Sequence, residues 1–510
     1  RKAGLSLLMG MLGDAKPVAF VEDTAVDPAR LPEFYSRFMA ILRKHDTTGT
    51  CYGHADVGCL HIRPVLNTKA VGDVEKLRSI AREVSDLVLE FGGAMSGEHG
   101  DGLARSGWNA KLFGPIVYHA FETIKRAFDP ENRMNPGKVV ASPDPGADLR
   151  QGPDYHAAEP AETIFDYSGQ GGFARAVEMC SGVGACRKTD SGTMCPSYMI
   201  TRDEEHSTRG RANLLRLVMS GALPANGLAN ASLDEALDLC LQCKACKTEC
   251  PSNVDMAKLK AEVLYQNAKV RGVPWSYRLM GNLHRFYPLG AAMAPASNWL
   301  LDRGWVKRCQ EAVLGLDRRR TLPKFARQSF RTWFRRHPPA ATAGVQGTVL
   351  LLDDCFTNFN TPSVGQAAVA LLEASGYRVE LAGLKCCGRP AMSKGLLDVA
   401  RSLAAENVQK LKPRAQAGVP ILGLEPSCLT TLIDEYLDLR LGDDAKLVAS
   451  QSRMIDAFLD RRLYARGDLD LALMFESLFR LPDGRRPQLQ LRHAGQPGRR
   501  LSVASLGTGP

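Results

Sequence analysis

The sequence has no apolar run as long as the roughly 18 to 20 residues that a membrane-spanning helix needs. Its best run, Leu289–Leu301, covers 13 residues and contains Pro295, Ser297 and Asn298, so a bilayer-crossing helix is excluded. A basic segment followed by an apolar segment and a cleavage site is also lacking, which excludes a secretory signal. We therefore expect a cytoplasmic protein, with peripheral contact at the inner membrane as the alternative.

Positive charge is concentrated in two segments instead of being spread over the molecule. The formal net charge is +10, while residues 301–340 alone carry +8 and residues 461–510 carry +5. The other segments are slightly acidic in sum, which argues against a nucleic-acid-binding face and against nucleic acid as a partner. We expect the apolar residues of 276–345 to pack on neighbouring parts of the protein and not on lipid.

At 510 residues the chain is too long for one hydrophobic core, so several domains are expected. Residues 1–140 mix strand patterns, as over Pro17–Glu22, with a helical repeat from Val74 to Phe91 that ends on two glycines. Alternating strands and helices in 346–460 predict a parallel sheet. The predicted division is an α+β domain (1–140), a linker (141–165), a helical domain around metal sites (166–275), a basic connecting segment (276–345), an α/β domain (346–460) and a disordered tail (461–510).

Fourteen cysteines carry the strongest signal. They cluster at metal-ligand spacings in a chain without an export signal, which favours reduced thiolates over disulfides. In the run Cys240-x2-Cys243-x2-Cys246-x3-Cys250-Pro251, three thiolates on one tight loop can bind three corners of a cubane 4Fe-4S cluster. A zinc ribbon is the alternative, but it would place its cysteines as two separated pairs. The run therefore predicts an iron–sulfur cluster.

A second and less regular cysteine motif precedes this run. It reads Cys180-x5-Cys186-x8-Cys195-Pro196, with Val183 where the regular pattern has a cysteine. In two-cluster ferredoxins the cysteine before proline ligates the other cluster. The expected sets are Cys195 with Cys240, Cys243 and Cys246, and Cys250 with Cys180 and Cys186. The latter set is one thiolate short, so it predicts a 3Fe-4S cluster, a cubane with water or another non-cysteine ligand, or a different role for Cys195.

A third group of cysteines lies in the α/β region. Cys355 follows the first predicted strand, Cys386 and Cys387 follow the second, and Cys428 follows the third. Open parallel sheets place their ligands beyond the carboxyl ends of the strands, so these cysteines are candidate ligands of a metal cluster. The alternative is that they are small buried apolar residues, as free cysteine often is.

Histidines and a carboxylate suggest a separate metal site in the N-terminal domain. His54 and His61 are seven residues apart, so an unbroken strand would point them to opposite faces, but the turn residues between them allow a bend. Glu98 and His99 lie on a glycine-rich loop. Two histidines and a glutamate are the ligand set of a catalytic divalent ion, and His99 then remains free to take a proton. Ordinary core or surface histidines are the alternative.

Several segments of the sequence resemble those of a known protein family. The segments that carry the resemblance are Glu22-Asp-Thr-Ala-Val26, Tyr52-Gly-His54, His61-Ile-Arg-Pro64, Ser96-Gly-Glu-His-Gly-Asp-Gly102 and Asn135-Pro-Gly-Lys138. They are similar to the C-terminal cap domain of FAD-linked oxidases, the group that includes D-lactate, glycolate and D-2-hydroxyglutarate dehydrogenases. The rest of the chain resembles the fused bacterial type, which continues into a two-cluster 4Fe-4S ferredoxin domain. A Cys-Cys-Gly domain follows, like those found in heterodisulfide reductase and in anaerobic glycerol-3-phosphate dehydrogenase.

The resemblance implies a role for each candidate residue. His54, His61 and Glu98 would bind Zn2+ or a similar ion that holds a 2-hydroxy acid, and His99 would act as general base while hydride passes to FAD. The implied substrate-binding residues are Arg1, Lys16 and Arg63, and the implied cofactor-binding residue is Asn135. Arg63 stands where relatives often have asparagine, and an arginine would suit a second substrate carboxylate.

The resemblance also implies an activity and a longer protein. We expect a D-2-hydroxy acid dehydrogenase that prefers D-2-hydroxyglutarate, with D-lactate and glycolate as alternatives, and that passes electrons to a quinone or a carrier protein. A non-catalytic iron–sulfur electron-transfer protein that docks on a separate flavoprotein is the alternative. A glycine-rich FAD diphosphate-binding half is expected before residue 1, and a second cysteine-rich repeat after the first, so we expect the chain to be a C-terminal fragment.

Overall fold

The computed structural model of the chain describes residues 10–223 and 227–466. Within them the chain forms two compact units, one of residues 10–161 and 167–260 and the other of residues 162–166 and 261–466. In this described part of the chain no helix is long and apolar enough to cross a membrane.

The N-terminal part of the first unit is an antiparallel sheet covered by helices. Its strands are β1 (Lys16–Pro17), β2 (Thr24–Ala25), β3 (Gly49–His54) and β4 (Cys59–Leu66), and β4 pairs with each of the others. The predicted helical repeat is confirmed as the helix Val71–Glu90. The other α-helices here are Leu31–Lys44, Gly102–Arg105 and Asn109–Phe128. Helical side chains such as Phe34, Phe38 and Leu77 bury against Ile62 of the sheet, because apolar residues of both elements alternate toward one core.

The bounds predicted for the strand Pro17–Glu22 are wrong, because a bulge separates β1 from β2. This bulge positions two residues of the candidate metal centre. Pro17 of β1 pairs with Val65 of β4, and Thr24 of β2 pairs with Leu60. The seven residues 17–23 therefore lie opposite only the five residues 61–65. The two extra residues form a bulge. Glu22 and Asp23 lie in this bulge and are buried, at 7% and 0% exposure.

Short helices separated by cysteine-bearing loops form the rest of the first unit. The α-helices are Phe173–Glu178, Pro196–Thr201, Thr208–Met219, Ala231–Asp238 and Ala245–Glu249, together with the beginning of Met256–Arg271. Partly buried ion pairs join the two parts of this unit: Lys69 contacts Asp14 and Glu178, and Arg175 contacts Asp14. The predicted linker contains neither helix nor strand over residues 142–165.

The second unit contains a four-stranded parallel sheet. Its strands β5 (Gly347–Leu351), β6 (Tyr377–Leu381), β7 (Ile421–Gly423) and β8 (Ser452–Met454) lie in the order β6-β5-β7-β8. The first three follow the sequence prediction, and β8 was missed because three residues carry too little pattern. The α-helices of this domain are Cys355–Phe359, Pro362–Ala374, Arg389–Ser393, Leu397–Gln416, Pro426–Thr430, Tyr436–Asp438, Asp443–Gln451 and Ile455–Arg466.

Much of the basic connecting segment is helical, and several of its large apolar side chains are exposed, although Phe330 is buried. Its helices are Trp275–Gly281, Leu283–Ala292, Ala294–Leu301, Gly304–Leu314 and Phe330–Phe334. Trp299 and Trp305 are 58% and 64% exposed. The expectation that the apolar residues of this segment pack on neighbouring protein is therefore wrong for these side chains.

The predicted disordered tail begins inside a helix, because Ile455–Arg466 continues past residue 460. Residues 467–510 lie outside the described residues, as does Arg1.

Candidate metal centre and iron–sulfur sites

A β-hairpin brings His54 and His61 together. β3 ends at His54, one turn of 3-10 helix follows over Ala55–Val57, and Gly58 reverses the chain with a φ of 70°. Two histidines seven residues apart require this bend. A Cβ on Gly58 would come within 1.8 Å of the Val26 carbonyl oxygen, so only glycine fits. The two imidazole rings lie at 87° to each other with centroids 5.6 Å apart.

Glu98 completes a tight group of ligand-type atoms. Its Oε1 lies 3.4 Å from Nε2 of His54, 3.0 Å from Nε2 of His61 and 3.2 Å from Nε2 of His99. Around a tetrahedral zinc ion with ligand bonds of about 2.1 Å, neighbouring ligand atoms lie about 3.4 Å apart. Among the described residues, the ligand atoms of Asp23, His61, Glu98 and His99 all lie within 4.8 Å of one another, and His54 adjoins this group through its contact with Glu98.

The burial of the histidine ring nitrogens, and their lack of hydrogen bonds, also fit a divalent ion. Nε2 of His54 and both ring nitrogens of His61 are buried and make no hydrogen bond within the described residues. Such atoms cost free energy unless a partner is supplied, and an ion that accepts the Nε2 lone pairs of His54 and His61 supplies it for those two atoms. Burial is the largest effect on the pKa of His61 and lowers it, which favours the neutral form that a metal ligand requires. His54, His61 and Glu98 thus fit a divalent ion.

The ring of His99 is nearly parallel to that of His61, whereas the ring of His54 is nearly perpendicular to it. The His99 ring stacks on that of His61 at 15°, with centroids 4.7 Å apart. Because a ring nitrogen directs its lone pair along the ring plane, two nearly parallel rings do not aim at one ion. The Nδ1 atom of His99 lies 3.2 Å from Oε1 of Glu22. A carboxylate on Nδ1 fixes the ring and leaves Nε2 to accept a proton.

Asp23 holds the glycine-rich loop that carries Glu98 and His99. It accepts hydrogen bonds from Oγ of Ser96 at 2.7 Å and from the backbone N–H groups of Glu98 and His99 at 3.1 and 2.8 Å. Burial alone would raise the pKa of Asp23, but these hydrogen bonds outweigh it and the pKa is lowered. The ionised carboxylate is therefore a fixed acceptor that positions the loop.

Glu22 links His99 to Arg63. Its Oε2 accepts a hydrogen bond from Nε of Arg63 at 2.8 Å, and Arg63 lies two residues after His61 on β4, on the same face of the strand. Sequence reasoning did not assign roles to Glu22 and Asp23. The available signal was two adjacent acids at the end of an apolar run, because acids are rarely buried without partners.

The other candidates of the N-terminal domain lie apart from this group. Lys16 pairs with Leu66, five residues along β4 from His61, which corresponds to about 17 Å along a strand. Its ammonium group donates to the Met11 carbonyl oxygen, and burial lowers its pKa. Asn135 is exposed in a turn with a φ of 47°, beyond the helix Asn109–Phe128.

Four of the predicted cluster ligands line one cavity in the first unit. They are Cys195, Cys240, Cys243 and Cys246. Cys246 lies in the short helix Ala245–Glu249, which begins after Lys244 with a φ of 64°. This left-handed residue turns the chain between Cys243 and Cys246, so that the loop bends around the cavity.

A buried arginine contacts the cysteine contributed by the other motif. Arg211 has no exposed surface, and its guanidinium donates to Sγ of Cys195 at 3.4 Å, to Oγ of Ser197 at 3.0 Å and to the carbonyl oxygen of Ala236 at 2.7 Å. No carboxylate among the described residues pairs with it. Burial raises the pKa of Cys195, but Ser197 and Arg211 outweigh it and the pKa is lowered. Arg211 is therefore placed to stabilise a thiolate.

The second cysteine set also comes together. Electrostatic interactions join Cys180 to Cys250 and Cys186 to Cys180, and burial raises the pKa of both Cys180 and Cys186. Cys186 also interacts with Cys195, so Cys195 lies between the two sets. All fourteen cysteines are described, and Cys195 is thus the cysteine that adjoins the set of Cys180, Cys186 and Cys250.

The cysteines of the α/β domain meet at the carboxyl ends of β5, β6 and β7. Sγ of Cys387 lies 3.2 Å from Sγ of Cys428. Cys386 accepts hydrogen bonds from the thiols of Cys355 and Cys387, which lower its pKa to about 3. The backbone of Cys386 and Cys387 is braced by two buried residues that the sequence did not reveal, Asn407 and Tyr436, at 2.8 Å each. The four thiols are thus close enough to share a metal cluster.

Three family models match separate parts of the chain. Residues 1–139 match the C-terminal domain of FAD linked oxidases, residues 176–254 match a 4Fe-4S dicluster domain, and residues 349–433 match a cysteine-rich domain. The cofactors that these domains imply are FAD and iron–sulfur clusters.

Curated relatives align over most of the chain. The D-2-hydroxyglutarate dehydrogenase of Pseudomonas putida is 30% identical over 92% of this chain and 50% of its own length, and that of Pantoea ananatis is 29% identical over 86% and 46%. One component of the anaerobic glycerol-3-phosphate dehydrogenase of Escherichia coli is 33% identical over 33% of this chain and 43% of its own length. The chain thus spans about half the length of the D-2-hydroxyglutarate dehydrogenases that it matches.

Proposed function

The chain carries the C-terminal domain of FAD-linked oxidases, a 4Fe-4S dicluster domain and a cysteine-rich domain, and we propose that it acts in a flavin- and iron–sulfur-dependent D-2-hydroxy acid dehydrogenase. The substrate is oxidised to the 2-oxo acid, and D-2-hydroxyglutarate is the preferred substrate because relatives over most of the chain carry that name. The proposed location is cytoplasmic.

The observation that carries this proposal is the group of His54, His61, Glu98 and His99. The first three would hold a Zn2+ or similar ion, which would supply a Lewis acid for the substrate hydroxyl. Nε2 of His99 faces the same carboxylate oxygen as the ligands, so it is placed to take the hydroxyl proton. Glu22 contacts Nδ1 and thereby holds the ring in this orientation.

Arg63 is proposed to bind the second carboxylate of D-2-hydroxyglutarate. Its Nε is held by Glu22 at 2.8 Å, which fixes the guanidinium and leaves its Nη groups to form a charge-assisted pair with substrate. Arg1 and Lys16 remain proposed carboxylate contacts, and Asn135 remains a proposed FAD contact, on the family resemblance alone.

Electrons from the reduced flavin are proposed to leave one at a time through the clusters of the middle domain. The terminal acceptor is proposed to be a quinone or a carrier protein. The set of Cys180, Cys186 and Cys250 is proposed to hold a 3Fe-4S cluster, a cubane completed by water or another non-cysteine ligand, or a cubane that Cys195 completes. Cys355, Cys386, Cys387 and Cys428 are proposed to hold a further cluster.

The test is steady-state turnover of the flavin-loaded, cluster-reconstituted full-length protein with an artificial electron acceptor. D-2-Hydroxyglutarate should yield 2-oxoglutarate, and the L enantiomer should not. Turnover should fall by about 10²–10⁴-fold in His99→Ala, as expected for loss of a general base. A reconstituted protein that oxidises no D-2-hydroxy acid refutes the proposal and favours a non-catalytic iron–sulfur electron-transfer protein.

A further inference from the structure

Three consecutive helices of the second unit present their large apolar side chains outward. In Leu283–Ala292 and the residue after it, the exposed side chains follow a helical spacing of three and four. In Ala294–Leu301 and Gly304–Leu314 the exposed apolar side chains include two tryptophans. The exposed apolar face consists of Phe286, Leu289, Met293, Trp299, Leu300 and Trp305.

The orientation of these helices is fixed by polar contacts on their inner side. Asn298 exchanges two hydrogen bonds of 2.8 Å with the backbone of Phe325, and Oγ of Ser297 donates to the Gly290 carbonyl oxygen at 2.7 Å. Tyr287 packs against the ring of Phe325 with centroids 5.3 Å apart. Because the polar side chains are held inward, rotating the helices to bury the apolar residues would break these contacts.

The segment that carries the exposed apolar face has a net positive charge. Residues 275–324 carry a net charge of +6. The guanidinium of Arg303 lies 4.3 Å from the ring centroid of Trp299, and Arg308 is exposed on the next helix. Tryptophan and leucine beside basic residues are the composition of helices that lie in the interface of an anionic bilayer.

We propose that the exposed apolar face binds the surface of an anionic lipid bilayer. The three helices have 10, 8 and 11 residues and are therefore about 12 to 17 Å long, too short to span the hydrocarbon core and suited to lying flat within the headgroup region. The net positive charge of this segment favours a partner whose surface is negatively charged throughout, as that of an anionic bilayer is.

Bilayer binding would place the membrane beside the α/β domain. Tyr287, on the inner side of the first of these helices, also packs against Phe356 and Phe359 of the helix that begins at Cys355. An electron acceptor dissolved in the lipid would then approach the four cysteines of that domain.

Vesicle co-sedimentation of the whole chain tests this surface. The chain should bind vesicles of phosphatidylcholine and phosphatidylglycerol at 3:1, and binding to pure phosphatidylcholine or at 1 M salt should be weaker. Trp299→Ser/Trp305→Ser should weaken binding at least about tenfold, because two large apolar side chains no longer enter the interface. Arg303→Glu/Arg308→Glu should also weaken it, through charge alone.

The matched control is Ile116→Ser/Phe128→Ser, which replaces two exposed apolar residues of the N-terminal domain, 86% and 79% exposed. This control should bind vesicles as the wild type does. The proposal is overturned if the wild type ignores anionic vesicles, or if the tryptophan variant binds as tightly as the control. It is also overturned if the tryptophan variant only changes the oligomeric state in gel filtration, which would identify a second copy as the occupant of the face.

Discussion

Removing the charge of Arg211 should lower the reduction potential of the cluster that includes Cys195. Its guanidinium is fully buried, lies 3.4 Å from the Cys195 sulfur and has no carboxylate partner among the described residues. Reduction adds one negative charge to the cluster, and the buried positive charge stabilises that charge. Arg211→Met removes this stabilisation, because it replaces the guanidinium with an uncharged, apolar side chain of similar length.

The size of the shift follows from Coulomb's law. At a separation of about 6 Å from the guanidinium to the added charge and an effective dielectric constant of about 20, the interaction is about 3 kcal/mol. For a one-electron couple about 1.4 kcal/mol corresponds to about 59 mV, so the full effect is about 120 mV. Reorganisation of nearby dipoles reduces it, and we expect a decrease of about 50 to 120 mV.

The assay is a redox titration monitored by EPR on the anaerobically prepared chain. Arg211→Lys keeps the charge and should shift the potential by less than half as much, although it loses contacts to Ser197 and Ala236. Arg37→Met is the control, because it also removes one positive charge, but from an exposed side chain of the N-terminal domain that is paired with Glu90 and screened by solvent. If Arg211→Met holds its cluster but has the wild-type potential, the electrostatic reasoning is wrong.

The remaining predictions concern the N-terminal site. His99→Ala should abolish turnover and retain the divalent ion, whereas His61→Ala should lose the ion, as measured by metal analysis; loss of the ion from His99→Ala would identify it as a ligand. Asp23→Asn should weaken metal affinity about 10- to 100-fold in a competition titration, because it loosens the loop that carries Glu98; unchanged affinity would contradict this role. Gly58→Ala should lower the free energy of unfolding by more than about 2 kcal/mol, since its Cβ meets a carbonyl oxygen, whereas Gly92→Ala, with open space around it, should cost about 1 kcal/mol. A chelator that removes zinc but not cluster iron should stop turnover and leave the visible cluster spectrum intact.

Spacing within the sequence was enough to predict the cysteine sites. Cys240, Cys243 and Cys246 lie on one short loop, so their convergence is local and needs no knowledge of the fold. The thiols of Cys355, Cys386 and Cys428 are distant in sequence, yet each follows a strand of one parallel sheet, and the ends of such strands meet at one edge.

The parts that the sequence did not predict depend on tertiary register. Glu22 and Asp23 reach the histidines because a two-residue bulge shifts the chain against β4, and strand patterns do not show a bulge. The supporting residues Asn407 and Tyr436 are far in sequence from the cysteines that they brace.

The direction in which a short helix faces is also set by tertiary contacts. Apolar composition suggested that 276–345 packs inward, but Ser297 and Asn298 take the inner positions through hydrogen bonds and leave Trp299 outside. Composition records how apolar a segment is and not which of its residues find partners.

The most direct test of the proposed function is rapid-freeze EPR of the flavin-loaded protein after anaerobic mixing with D-2-hydroxyglutarate. The account predicts that reduced-cluster signals appear within the time of one turnover, that they are absent with the L enantiomer, and that His99→Ala suppresses them while its clusters remain reducible by dithionite. Flavin that is fully reduced by the substrate while the clusters stay oxidised would contradict it.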